Sequence, residues 1–100
     1  VQRTADLLNT FPNPANWQVV VVCTPQAWQH YRAMFGAEAT QSAFTIRSHR
    51  ITIVNAAMYD EKPESQSRFI LAHEAGHLIC NCDDEDKADK EAEKLLRGTR

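Results

Sequence analysis

The sequence has no apolar run approaching the roughly 18 residues that a membrane-spanning helix needs. No membrane partner is therefore expected. An excess of one charge is also missing: 11 Lys and Arg stand against 13 Asp and Glu, a formal net charge of −2. That balance lacks the basic surplus of a nucleic-acid-binding surface, so no nucleic-acid partner is expected either. Cysteine is scarce and odd in number, with only Cys23, Cys80 and Cys82. Such a set does not make a fully paired disulfide framework. It fits reduced thiols packed as small hydrophobes and favours a reducing, cytoplasmic compartment. The chain opens on Val1 rather than Met, which keeps a secreted form with a removed leader compatible with the sequence. Internal repeats, low-complexity tracts and linker-like stretches are lacking too, so residues 1–100 read as one small domain with a modest core.

What the chain does contain is an alternation of short elements. Residues 3–10 suit a short helix, ended by the segment Phe11-Pro12-Asn13-Pro14. Residues 17–23 are valine-rich and short, which predicts a buried strand. Thr24-Pro25 predicts an N-cap and first turn, Ala27, Trp28, Tyr31, Met34 and Phe35 follow at helical spacing, and Gly36 ends that helix. Trp17, Trp28, Tyr31 and Phe35 are expected in the core. Residues 42–46 and 50–54 predict a hairpin across Arg47-Ser48-His49. Residues 55–65 read as a polar loop with Asp60, Glu61 and Pro63, and Ser65 or Ser67 is expected to cap a helix over about 66–80. A last helix is expected over about 84–96, with Gly98 beyond it. The expected fold is α+β, a small, mainly antiparallel sheet packed on helices.

The helix expected over 66–80 is apolar around most of its circumference, through Phe69, Ile70, Leu71, Ala72, Ala75, Leu78 and Ile79. Such a helix is largely buried, so the two histidines and the glutamate inside it need partners. The spacing supplies one. His73 and His77 are four residues apart, hence about 40° apart around the axis and about 6 Å along it. Two imidazoles so placed can share a tetrahedral zinc. Glu74 projects beside them, where it can take a proton from a water on the metal. This is the physical content of His73-Glu74-Ala75-Gly76-His77, an H-E-x-x-H pattern. The chain's own His and Glu frequencies give on the order of 0.01 chance occurrences.

A catalytic zinc needs a third protein ligand and one open position. No histidine follows His77, so that ligand must be a carboxylate from the final helix. Two registers compete. In one, Glu85 binds zinc and Asp89, one turn on, takes a hydrogen bond from a ligand imidazole. In the other, Glu91 binds zinc. The first is preferred: Glu85 and Asp89 have i, i+4 geometry, and the small Ala88 lets this helix come close to its neighbour. Asp83, Asp84 and Asp86 read more simply as acids at a helix N-terminus. Cys80 and Cys82 read as helix-end residues, packed or lightly exposed, and His30 and His49 as surface residues.

The run His73-Glu74-Ala75-Gly76-His77 followed by Glu85-x-x-Ala88-Asp89-x-x-Ala92 resembles the gluzincins, and is most similar to the short minigluzincins and ImmA/IrrE-like metallopeptidases. The resemblance spans about the last third of the chain. It implies a zincin-like fold with an active-site helix and a glutamate helix. It also implies His73, His77 and Glu85 as zinc ligands, Glu74 as general base and Asp89 as the acid behind a ligand. A sheet-edge strand would pair with extended peptide, drawn from residues 42–46 or 50–54. The family's oxyanion-stabilising side chain has candidates in Tyr31, His49, Tyr59 and Arg68.

The expected function is thus a zinc-dependent peptidase in which Glu74 assists attack of a water on the zinc, acting on peptide or unfolded protein. The competing reading is a zinc-binding regulatory or protein-interaction module of the same fold with little proteolysis. A closed structural zinc site would need a fourth protein ligand, for which Cys80 or Cys82 is poorly placed.

Overall fold

A computed structural model describes residues 2–37 and 41–97. Among these residues, five helices and three strands run in the order α1 (Gln2–Leu8), β1 (Gln18–Val22), α2 (Pro25–Phe35), β2 (Ala43–Ile46), β3 (Ile51–Asn55), α3 (Ala56–Asp60), α4 (Glu64–Cys80) and α5 (Glu85–Arg97). A 3-10 turn over Arg47–His49 joins β2 to β3. The fold is α+β, a small sheet packed on helices. The sheet is mixed, in the order β1-β3-β2. β2 and β3 form the expected antiparallel hairpin, with Thr45 opposite Thr52. β1 joins the far side of β3 in parallel, with Val19 opposite Thr52.

The two-residue period of the strands sorts their side chains between two faces. Val20, Val22, Phe44, Ile46, Ile51 and Ile53 look toward α2 and pack with Trp28. Val19, Ala43 and Val54 look the other way and pack with Leu71, Ala72 and Ala75 of α4. The central strand β3 is therefore buried on both sides through Thr52, Ile53 and Val54. α2 begins as expected: the Thr24 hydroxyl accepts the Ala27 amide at 3.1 Å, and Gly36 takes a left-handed φ of 72°. The helix presents Trp28 inward, its ring 5.5 Å from that of Phe44. Phe35 and Met34 stay exposed, contrary to the core expectation for Phe35. Trp17 and Tyr31 sit half-buried against the two core clusters.

Four local expectations need correction. Residues 56–60 are not loop but the short helix α3, because Tyr59 reaches the core and is fully buried. The cap of α4 is neither Ser65 nor Ser67 but Pro63, whose carbonyl accepts the Gln66 and Ser67 amides at 3.0 Å. Ser67 is instead buried and donates its hydroxyl to the Tyr59 carbonyl at 2.9 Å, tying α3 to α4. Cys80 and Cys82 are not thiols but a disulfide. Asn81 ends α4 in a left-handed conformation with φ 51°, which turns the chain back and brings the two Cα atoms within 5.3 Å. Cys23 is free but exposed, not packed. Gly98 lies outside the described residues.

α4 is covered on one side by the sheet and on the other by α5, which explains an apolar circumference without a single polar face. α5 packs through Ala88 and Ala92, both fully buried. The approach is close: a Cβ placed on Gly76 would lie 2.4 Å from the Ala88 carbonyl oxygen. Only glycine fits there, and this contact sets the separation of the two helices that build the site.

Candidate metal centre

The site lies where α4, the start of α5 and β2 meet. The i, i+4 spacing on α4 places the His73 and His77 rings 4.8 Å apart, edge to face. α5 begins with Asp84 as its cap, its carboxylate accepting the Asp86 amide at 2.9 Å and the Lys87 amide at 3.2 Å. Asp84 thus behaves as a helix-terminal acid. The capped start brings Glu85 onto the histidines. Its carboxylate stands 2.8 Å from Nε2 of His73 and 3.3 Å from Nε2 of His77.

Each imidazole is oriented through its other nitrogen. Nδ1 of His73 lies 2.6 Å from the Asp89 carboxylate, and Nδ1 of His77 lies 3.0 Å from the Cys82 carbonyl oxygen. A carbonyl oxygen only accepts, so His77 carries a proton on Nδ1 and presents Nε2 to Glu85. Paired acceptors behind ligand imidazoles are what metal-binding histidines use to fix tautomer and ring direction. His73, Glu74 and His77 form a group that could hold a metal ion, their candidate ligand atoms all within 4.8 Å of one another. Two imidazole nitrogens converging on one carboxylate form a donor set that fits a divalent metal ion.

Glu91 does not join this group. It pairs with Lys94 at 3.3 Å and lines a separate depression with Cys80, Lys87 and Lys90. Of the two competing registers, the structure brings Glu85 and Asp89 to the histidines.

Glu74 is buried beside the pair, and the Thr45 hydroxyl lies 2.7 Å from its Oε1. Burial pushes its carboxyl above the usual carboxylate range, while the Thr45 hydrogen bond and the two imidazoles pull back and Glu85 adds to the rise. For His73, burial works to lower the pKa, but the Asp89 hydrogen bond and the Glu74 and Glu85 carboxylates outweigh it, and the net direction is upward. Glu74 and His77 line a cavity of about 170 Å³ that also takes in Phe44, Arg47 and Asp83. A second hollow of about 260 Å³ opens on the other side of Glu74, between Ala43, Phe69, Ile70 and His73.

None of the four oxyanion candidates lines either hollow. Tyr59 is in the core, and Tyr31 packs beside Trp28. His49 is exposed next to Ser48, and Arg68 donates to the Thr10 hydroxyl at 3.0 Å. The cation that does reach the cavity is Arg47, whose guanidinium grips both Asp83 carboxylate oxygens at 3.1 Å and the Asn81 carbonyl at 3.0 Å. Thr45 and Arg47 were not legible as site residues. Their place depends on strand register and on the turn after β2, neither of which leaves a local motif. Comparison of the chain with protein-family models, with curated proteins and with solved structures gives no match.

Proposed function

We propose that the protein is a zinc-dependent peptidase of the gluzincin kind, with His73, His77 and Glu85 as metal ligands and Glu74 as general base. The observation that carries this is the convergence of both Nε2 atoms on the Glu85 carboxylate, with Nδ1 of each ring held from behind and a buried carboxylate alongside. Zinc held there would supply Lewis acidity, activating water and polarising a substrate carbonyl.

The chain's own residues supply the rest. Oε1 of Glu74 is engaged by Thr45, which leaves Oε2 to accept the proton of the attacking water and pass it to the departing amine. Asp89 and the Cys82 carbonyl keep the imidazoles from rotating away. The Glu85 side chain is 71% exposed, so the site is open to solvent and to an incoming chain. An extended peptide suits this approach. β2 lies at one edge of the sheet and carries Thr45 to Glu74, so a peptide strand added to β2 would run past the base. Residues 51–55 form the central strand and are excluded from that role.

The test compares zinc-loaded wild type with Glu74→Gln on a mixed peptide library. Cleavage by wild type is expected to exceed that of Glu74→Gln by about 10²- to 10⁴-fold, the usual contribution of a positioned base. Both proteins should bind zinc. Equal cleavage by the two, or none by wild type, would overturn the peptidase and leave the zinc-binding interaction module.

A further inference from the structure

Glu74 is not held by Thr45 alone. The Thr45 hydroxyl lies 2.8 Å from the hydroxyl of Thr52, its cross-strand partner in the β2–β3 register. The Thr52 hydroxyl in turn accepts the indole Nε1–H of Trp17 at 2.8 Å. Donor and acceptor chemistry fixes the direction from both ends. An indole nitrogen only donates, and an ionised carboxylate only accepts. Each threonine hydroxyl has one proton. Thr45 gives its proton to Glu74, so it must accept from Thr52, and Thr52, having given its proton to Thr45, accepts from Trp17.

The donor end and the middle of this series are anchored by packing. The Trp17 ring lies 6.5 Å from that of Phe11 and rests against the core cluster that α4 helps to build. Thr52 is fully buried on the central strand, where no water can substitute for either of its partners.

We propose that Trp17, Thr52 and Thr45 form a one-directional hydrogen-bond relay that positions Glu74, clamping Oε1 so that Oε2 alone is presented for proton transfer. Thr45 and Thr52 are positioning residues, and the inference rests on the peptidase reading of Glu74. It makes the edge strand that would receive a peptide the same strand that aims the base. It also gives a polar task to a tryptophan whose burial alone would be explained by packing.

Threonine and valine have nearly the same shape, so Thr45→Val and Thr52→Val remove hydroxyls without opening cavities. In zinc-loaded protein, each is expected to lower kcat about tenfold with KM unchanged, because the base loses its aim while no contact to substrate is removed. Thr45→Ser should restore kcat. Zinc stoichiometry should match wild type throughout. Members of one relay act as a unit, so the double variant Thr45→Val, Thr52→Val should be no slower than Thr45→Val alone. By NMR, Thr52→Val should move the Trp17 indole proton upfield, and Thr45→Val should move the Glu74 Cδ resonance. Wild-type kcat in Thr45→Val, multiplicative losses in the double variant, or a Glu74 Cδ resonance unmoved in Thr45→Val would each overturn the relay. If wild type cleaves nothing, the peptidase reading falls, and the two resonances still decide whether the relay holds Glu74.

Discussion

Gly76→Ala is the substitution with the largest consequence relative to its size. One methyl group is added in the middle of α4, and it would stand 2.4 Å from the Ala88 carbonyl oxygen, 3.1 Å from its carbon and 3.2 Å from its Cα. Ordinary contact begins near 3.4 Å, so α5 must withdraw by about 1 Å. The obstacle is backbone, which cannot rotate aside as a side chain could. Overpacking of this sort costs about 1–3 kcal/mol, and a clash with a rigid helix belongs near the top of that range. Alanine's better helix propensity offsets about 1 kcal/mol. The net loss is then about 2 kcal/mol, which for a domain of this size lowers Tm by roughly 8–16 °C. The withdrawal also carries Glu85 and Asp89 away from the histidines, since both ride on α5. Thermal unfolding monitored by circular dichroism reads the first effect, and zinc titration reads the second. If Gly76→Ala raised Tm, as the propensity gain alone would do, and bound zinc like wild type, the close packing of the two helices would be refuted.

Asp89→Ala removes the acceptor 2.6 Å behind His73 and should weaken zinc binding about 10- to 100-fold while leaving the fold intact; unchanged affinity in a metal-competition assay would contradict that role. His73 yields a pH prediction for the metal-free protein. Its folded pKa is raised above the ordinary 6.5, so its pairing with Asp89 and Glu85 stabilises the fold below that pH and the benefit is lost as pH rises through the folded value. The stability advantage of metal-free wild type over His73→Gln should therefore be largest in acid and vanish on the alkaline side. An advantage that grows with pH would show the sign to be wrong.

The features that the sequence announced are those set by local spacing. His73, Glu74 and His77 share one helix, and helix geometry alone puts them together. Glu85 and Asp89 were also legible, because an i, i+4 acid pair on a helix with Ala88 between them can face only one neighbour. Elements with strong terminal signals behaved likewise, as Thr24, Pro25 and Gly36 show for α2. What stayed hidden depends on contacts between distant segments. α3 is only five residues long and forms because Tyr59 is drawn into the core, although Asp60, Glu61 and Pro63 at its end read as loop. The Cys80–Cys82 pairing follows from the left-handed turn at Asn81, which no composition rule announces. The parallel pairing of β1 with β3 places Val19 opposite Thr52 and brings Trp17 to that threonine's hydroxyl. Thr45 reads as an ordinary strand threonine until that register is known.

In the proposed site, zinc is held by His73, His77 and Glu85 rather than through Glu91. Zinc stoichiometry after equilibrium dialysis, measured on wild type, Glu85→Ala and Glu91→Ala, tests it most directly. One tightly held zinc per chain is expected in wild type and in Glu91→Ala, with that zinc lost in Glu85→Ala. Retention by Glu85→Ala with loss in Glu91→Ala would contradict it.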